Sequence, residues 1–206
     1  MNIGWIFFDL GSTLIDETEC ERVRILNTVG GSDVTPEEFD ALYRELCSGN
    51  LDGYNRAREH FGLAKGAWPT ELERLYPGVP ELLSSLSKQF SLGIIANQKS
   101  GLFDRLDELG IGKYFQVLAG SGDLGIAKPE PEIFLKALEL VGCVPSEAVM
   151  VGDRLDNDII PAQALGMHTV WVRQGYGALG DASILEMKPD MVIDGITELD
   201  ISLIGE

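Results

Sequence analysis

The chain has 206 residues, 45% of them hydrophobic, and a formal net charge of −17 at pH 7. This length is enough for one α/β domain with a modest insertion. The negative charge repels nucleic acid and anionic membrane surfaces, so we expect neither as a partner. An anionic substrate would therefore need a local cation.

Targeting and redox signals are weak in this chain. No apolar run reaches the length of a membrane span, and the first residues lack a basic segment with a cleavage site, so we expect no targeting signal. Cys20, Cys47 and Cys143 are widely spaced, and the chain has only two histidines. This pattern favours reduced thiols in the cytoplasm over a disulfide framework or a zinc site.

The first predicted element is a buried strand that ends in a carboxylate. Apolar residues run from Trp5 to Phe8, and Asp9 follows them. A strand that is apolar on both faces is typical of a parallel sheet covered by helices. Such sheets bind ligands at the carboxyl ends of their strands. Asp9 is therefore a candidate functional residue, although an Asp here is also consistent with a turn cap.

Three helical stretches follow, and no obvious strand interrupts them. The apolar spacing predicts helices over residues 19–29, 36–48 and 54–61. Thr35 and Glu38 have the spacing of a capping box at the start of the second helix. We read these helices as an insertion after the first strand. The predicted organisation is a small all-helical cap at residues 16–75 and a core formed by residues 1–15 and 76–206.

From residue 76 onward, predicted helices and strands alternate. The predicted strands cover residues 92–96, 115–119, 148–151, 169–172 and 191–193. The predicted helices cover residues 79–86, 102–109, 133–141, 159–165 and 196–203. This alternation indicates an α/β fold with a Rossmann-like, doubly wound parallel sheet and right-handed crossovers.

Polar residues stand directly after three of the predicted strands. Asp9, Asn97 and Asp153 each follow an apolar strand, so in a parallel sheet they meet at one edge. Asp158 lies at the start of the next helix, from which it can turn back toward that edge. Converging carboxylates raise one another's pKa, and Mg²⁺ removes this conflict by binding oxygen ligands. The alternative for residues 152–158 is a solvated acidic loop that caps a helix.

Lys128 is a further candidate for the same site. It precedes Pro129, and Pro131 begins a predicted helix. A lysine in such a position is usually only solvated. Beside several carboxylates and an anionic substrate, however, one fixed ammonium supplies the missing positive charge.

Four blocks of the chain, in this order, resemble the haloacid dehalogenase (HAD) superfamily, in which most members are Mg²⁺-dependent phosphatases. The blocks read FFDLGSTL at residues 7–14, LGIIAN at 92–97, AKPEPEIF at 127–134 and VGDRLDND at 151–158. The resemblance covers nearly the whole chain, and the helical segment is similar to the cap that this family inserts after the first strand.

This resemblance implies a reaction through an aspartyl-phosphate. Asp9 would attack phosphorus, Lys128 would orient Asp9 and neutralise charge, and water would then release phosphate. The Mg²⁺ ligands that the resemblance implies are Asp9, Asp153, Asp158 and the backbone carbonyl of Gly11. The positions implied to contact the phosphoryl group are Leu10, Gly11, Ala96, Asn97 and Lys128, with the backbone amides of Leu10 and Asn97 as donors.

The chain departs from this family pattern at two positions. The family's phosphatases usually carry a second Asp two residues after the nucleophile, as general acid and base, and here that residue is Gly11. General acid–base catalysis contributes about 10²–10⁴-fold, so we expect slow turnover of poor leaving groups unless Asp16, Glu17 or a cap side chain substitutes. Ala96 stands where the family has Ser or Thr, and one lost hydrogen bond costs about 0.5–1.5 kcal/mol.

Three functions fit these observations. The favoured one is a Mg²⁺-dependent hydrolase of a small phosphorylated metabolite. The second is a catalytically impaired protein that binds phosphate or Mg²⁺, supported only by Gly11 and Ala96. The third is a metal-free dehalogenase, which the acidic block around Asp153 opposes. The cap cations able to face a substrate are Arg22, Arg24, Arg56, Arg58 and His60. Substrate identity and oligomeric state have no signature in the sequence.

Overall fold

A computed structural model describes residues 3–203 and shows an α/β fold. The strands are β1 (Trp5–Phe8), β2 (Ile15–Asp16), β3 (Arg74–Leu75), β4 (Ser91–Ala96), β5 (Phe115–Gly120), β6 (Ala148–Gly152), β7 (His168–Val172) and β8 (Met191–Ile193). Six of them form a parallel sheet in the order β5-β4-β1-β6-β7-β8. The other two, β2 and β3, form a separate antiparallel pair.

Helices connect these strands as the alternating pattern predicts. The α-helices are α1 (Thr18–Val29), α2 (Pro36–Ser48), α3 (Gly53–His60), α4 (Val79–Leu86), α5 (Leu102–Glu108), α6 (Ser121–Leu124), α7 (Pro131–Val141) and α8 (Ile160–Ala164). A wide π-helical turn, Leu155–Ile159, leads directly into α8. The helix predicted over residues 159–165 therefore begins one turn earlier than expected.

The first strand lies at the centre of the sheet because its side chains are apolar on both faces. Ile6, Phe7 and Phe8 are fully buried. Ile6 and Phe8 belong to one apolar cluster and Phe7 to another, since successive strand residues point to opposite faces. The chain continues to β4 and β5 on one side of β1, and then to β6, β7 and β8 on the other. This confirms the predicted doubly wound sheet and places its switch point beside Asp9.

Helices α1, α2 and α3 have an apolar cluster of their own, centred on Phe39, Tyr43 and Tyr54. The predicted capping box is present at the start of α2. The backbone amide of Glu38 donates to Thr35 Oγ1 at 3.2 Å, and the Thr35 amide donates to the Glu38 carboxylate at 2.9 Å. The boundaries of the cap at residues 16–75 stay a prediction, which this separate cluster supports.

The predicted absence of strands from residues 16–75 is wrong. The strand pair β2–β3 joins Asp16 to Arg74 and Ile15 to Leu75 in antiparallel register. A strand of two residues has no periodicity that a sequence pattern can reveal. The pair forms because the two ends of the helical segment meet beside the core.

The helix predicted over residues 196–203 is also wrong. Two 3-10 turns, Ile196–Glu198 and Ile201–Leu203, occupy this stretch. The side chain of Asp200, which lies between them, accepts a hydrogen bond from the Ser202 amide at 3.0 Å. Such local side-chain bonds compete with the hydrogen bonds of a helix.

Within residues 3–203, no helix has the length and apolar character needed to cross a membrane.

Candidate active site

Three carboxylates and one ammonium meet at the carboxyl edge of the sheet. Asp9 follows β1, Asp153 follows the neighbouring β6, and Asp158 lies in the wide turn after β6. Ligand oxygens of the three carboxylates lie within 4.8 Å of one another. Lys128 Nζ donates to Asp9 Oδ1 and to Asp158 Oδ1, each at 2.6 Å. The structure thus brings together four residues that the sequence pattern selected.

Two glycines allow the carboxylates to come this close. A Cβ atom on Gly152 would lie 2.5 Å from Asp158 Oδ2, so only glycine leaves room for that carboxylate. The same oxygen accepts a hydrogen bond from the Arg154 amide at 3.0 Å. In the same way, a Cβ atom on Gly177 would collide with Asp153. Close packing of backbone and carboxylates therefore holds the acidic cluster in place.

Burial governs the electrostatics of this cluster. Burial raises the pKa of Asp9, with Lys128 opposing this effect and Asp158 adding to it. Burial, together with repulsion from Asp158 and Asp9, holds the pKa of Asp153 well above its usual range. Burial alone would lower the pKa of Lys128, but attraction by Asp158 and Asp9 outweighs it and raises that pKa. Three carboxylates and one ammonium leave an excess of two negative charges when all are ionised.

This arrangement fits one hard divalent cation. Mg²⁺ is held by one or two carboxylates with further oxygen ligands, and its two positive charges offset the excess negative charge. Asp9 and Asp153 line the open cleft, whereas both oxygens of Asp158 already accept hydrogen bonds. Among residues 3–203, this is the one group of three metal-ligating side chains with such spacing.

The predicted phosphate-contacting positions fall into two groups. Gly11, Asn97 and Lys128 line the cleft. The side chains of Leu10 and Ala96 are fully buried in the apolar core, so only their backbone groups are able to serve the site. The carboxamide of Asn97 is bonded to the backbone of Lys128.

The sequence left Glu17 as one of several possible substitutes for the missing general acid and base, together with Asp16 and the cap side chains. Its carboxylate lies over Gly11, where a Cβ atom would be 2.5 Å from both Oε1 and Oε2. Ser12 Oγ donates to Glu17 Oε2 at 3.4 Å. Burial, together with repulsion from Glu21 and other nearby carboxylates, raises the pKa of Glu17 to about 8. No sequence signal indicates this placement, because it depends on how the chain turns back through β2.

The site opens into a cleft of about 1550 Å³ between the sheet edge and the helical segment. Arg24 and Arg56 line this cleft. The guanidinium of Arg24 lies 3.2 Å from the centre of the Tyr54 ring and 3.4 Å from the Glu21 carboxylate. The predicted cap cations that lie away from the cleft are Arg22, Arg58 and His60.

Several known proteins are similar to this chain in sequence and fold. Residues 6–172 match the family model of the haloacid dehalogenase-like hydrolases. The chain is 39% identical over 225 residues to a glyceraldehyde 3-phosphate phosphatase of Methanopyrus kandleri, covering 94% of both chains. It is 32% identical over 213 residues to phosphoglycolate phosphatase 1 of Pseudomonas aeruginosa, covering 94% of this chain and 77% of that protein.

A crystal structure of a HAD phosphatase from Thermococcus onnurineus has the same fold, with a TM-score of 0.66 at 26% identity over 99% of both chains. The family model, the relatives named as phosphatases and the shared fold together define the chain as a phosphatase-like hydrolase. The chain belongs to the haloacid dehalogenase-like hydrolase family, which confirms the resemblance found in its sequence.

Proposed function

We propose that this protein is a Mg²⁺-dependent phosphatase that hydrolyses a small phosphorylated metabolite through an aspartyl-phosphate. The observation that carries the proposal is the 2.6 Å hydrogen bond from Lys128 Nζ to Asp9 Oδ1. The Lys128 side chain is fully buried, whereas that of Asp9 is 13% exposed and lines the cleft. Lys128 therefore holds Asp9 from its buried side, and the exposed part of the Asp9 carboxylate faces the cleft in which substrate would bind.

In the proposed reaction, a carboxylate oxygen of Asp9 attacks phosphorus and the ester P–O bond breaks. The leaving alkoxide takes up a proton and departs as an alcohol. Water then attacks phosphorus, the Asp9–phosphate bond breaks, and inorganic phosphate leaves. Lys128 orients Asp9 throughout and offsets the charge that accumulates between two anions.

Asp9 and Asp153 would hold Mg²⁺, with Asp158 and the Gly11 carbonyl completing the protein ligands that the family resemblance implies. When bound, the ion offsets charge on the phosphoryl oxygens. Donor chemistry and charge support this assignment, since the cluster offers oxygen ligands and an excess of negative charge.

The named relatives support a compact substrate. Glyceraldehyde 3-phosphate and phosphoglycolate, after which the two phosphatases are named, are small phosphorylated metabolites. The predicted cytoplasmic location is consistent with Cys20, Cys47 and Cys143, which are all free thiols.

The test is a phosphate-release assay with and without Mg²⁺ on a panel that includes p-nitrophenyl phosphate and both named metabolites. We expect Mg²⁺-dependent release by the wild type, none by Asp9→Asn, and normal release by Asp16→Asn. Acid quenching should trap labelled phosphate on the wild type and on Asp16→Asn, and not on Asp9→Asn. Release by Asp9→Asn at the wild-type rate would overturn the proposal, as would a wild type inactive on every ester.

A further inference from the structure

The cleft contains a carboxylate that lies against Gly11, a position without a side chain. Gly11 follows the nucleophile by two residues, and the Glu17 carboxylate packs against it. Both Glu17 oxygens would be 2.5 Å from a Cβ atom on Gly11. A carboxyl group is therefore present at Gly11, two residues after Asp9, but it comes from the longer side chain of Glu17.

The hydrogen-bond partners of Glu17 leave it available for proton transfer. Its contact to Ser12 Oγ is long, at 3.4 Å, and within residues 3–203 no Lys or Arg nitrogen lies within 4.0 Å of its carboxylate. Glu17 also lines the cleft into which Asp9 points. The group is thus accessible to substrate and is not held in an ion pair.

The neighbouring carboxylates are engaged elsewhere. Asp16 Oδ1 accepts the Thr18 amide at 3.0 Å, beside the start of α1. Glu21 pairs with Arg24 at 3.4 Å. Two other side chains engage Glu73, with Arg105 Nε donating at 2.9 Å and Trp68 Nε1 at 2.7 Å.

We propose that Glu17 is the general acid and base of this site. The proposal rests on the aspartyl-phosphate reaction described above. In the first step, the Glu17 carboxyl gives its proton to the leaving oxygen as the P–O bond breaks and Asp9 becomes phosphorylated. In the second step, the Glu17 carboxylate takes a proton from the attacking water as the Asp9–phosphate bond breaks. Glu17 ends the cycle protonated, as it began, and no further reactant is needed.

A comparison of esters with different leaving groups distinguishes acid catalysis by Glu17 from a purely structural role. A nitrophenolate departs without protonation, whereas an alkoxide needs a proton. We expect Glu17→Gln to lower kcat/KM for ethyl phosphate by about 10²–10⁴-fold and for p-nitrophenyl phosphate by less than about tenfold. The matched control is Glu19→Gln, which makes the same change at an exposed position on α1 and should leave both values unchanged.

The second step, hydrolysis of the aspartyl-phosphate, is tested separately by the time course of nitrophenol release. Without a base to activate water, Glu17→Gln should release one equivalent of nitrophenol per enzyme in a rapid burst, followed by slow turnover. Equal losses of kcat/KM for the two esters, or no loss for either, would overturn the proposal. A loss of fold alone would not produce a burst or a difference between leaving groups.

A double variant keeps the test decisive if Glu17→Gln folds poorly. Glu17→Ala removes the carboxylate, and Gly11→Asp in that background returns one to the vacated space. We expect the double variant to recover ethyl phosphate kcat/KM at least tenfold over Glu17→Ala. A folded double variant without recovery would overturn the proposal.

Asp9→Asn distinguishes failure of this inference from failure of the proposed function. If Asp9→Asn abolishes nitrophenyl phosphate cleavage and Glu17→Gln changes nothing, the aspartyl-phosphate reaction stands and the role of Glu17 is refuted. If Asp9→Asn stays active, the proposed function itself is refuted.

Discussion

The side chain of Asn97 and the backbone of Lys128 exchange two hydrogen bonds. Asn97 Nδ2 donates to the Lys128 carbonyl oxygen and the Lys128 amide donates to Asn97 Oδ1, both at 2.8 Å. Asn97 directly follows β4, which pairs with β1. Lys128, which we propose orients Asp9, is therefore tied to the end of β4, the neighbour of β1. We expect the Asn97 carboxamide to position Lys128, while the backbone amide of Asn97 stays a predicted phosphate donor.

We expect Asn97→Ala to lower kcat by about 10–100-fold, because Lys128 loses its register relative to Asp9. The loss of two hydrogen bonds, each worth about 0.5–1.5 kcal/mol, should also lower the free energy of unfolding. Steady-state kinetics and urea denaturation measure the two effects. Asn27→Ala is the control, since Asn27 is an exposed asparagine whose side chain bonds to the Ala67 carbonyl. A wild-type kcat in Asn97→Ala would contradict the positioning role.

Lys128 should matter for stability as well as for activity. Lys128→Met leaves Asp9 and Asp158 buried without their cation, and breaking a buried ion pair in this way costs about 3–5 kcal/mol. Lys136→Met removes only an exposed pair with Glu139, which solvent screens, so this change should cost little stability. We expect denaturant unfolding to give a clearly lower free energy of unfolding for Lys128→Met than for Lys136→Met. Similar unfolding free energies would show that the buried ion pairs of Lys128 do not stabilise the fold.

The effect of Mg²⁺ removal on the melting temperature should depend on Asp153. We expect EDTA to lower the melting temperature of the wild type, because the buried carboxylates then repel one another without compensation. Asp153→Asn removes one of these charges, so its melting temperature should respond little to EDTA. Calorimetry should show that its Mg²⁺ affinity falls by more than about tenfold.

Asp156→Asn is the control for this prediction. Asp156 lies in the same loop but pairs with Arg154, so this variant should keep the Mg²⁺ affinity and the EDTA response of the wild type. An unchanged Mg²⁺ affinity in Asp153→Asn would rule out Asp153 as a ligand.

At Gly11, the smaller of two substitutions should be the more harmful: Gly11→Ala should lower kcat/KM more than Gly11→Asp. Gly11 lies outside the left-handed region of backbone conformation, so a side chain there meets the Glu17 carboxylate and not backbone strain. Gly11→Ala displaces that carboxylate and replaces it with a methyl group. Its kcat/KM for ethyl phosphate should fall more than about tenfold. The larger Gly11→Asp supplies a carboxylate in the same place and should stay within about tenfold of the wild type.

The measurement for Gly11 is the ratio of nitrophenyl to ethyl phosphate kcat/KM, with melting temperatures recorded for both variants. The ratio should rise in Gly11→Ala and change little in Gly11→Asp. An ethyl phosphate rate in Gly11→Asp more than about tenfold above that of the wild type would show that Glu17 does not already supply the proton.

The sequence alone determined the sheet and the location of its acidic edge. Buried parallel strands are apolar on both faces, so they are visible as short apolar runs between helical periods. Once the sheet is parallel, the residue after each strand must lie at the same edge. Asp9 and Asp153 were therefore predictable without coordinates. Asp158, at the start of the next helix, and Lys128, as the positive charge that the cluster lacked, were further candidates before the motif blocks were considered.

Only the tertiary structure decided which side chains contact one another at that edge. The packing of Glu17 against Gly11, and not of Asp16, depends on the path of the chain through the strand pair β2–β3. The bond between Asn97 and Lys128 likewise joins residues from separate connections of the sheet. Periodicity reports which face of an element is buried, whereas contacts between distant segments depend on how those elements pack. For this reason, the sequence predicted a nucleophile and a metal site, whereas the proposal that Glu17 is the acid needed the fold.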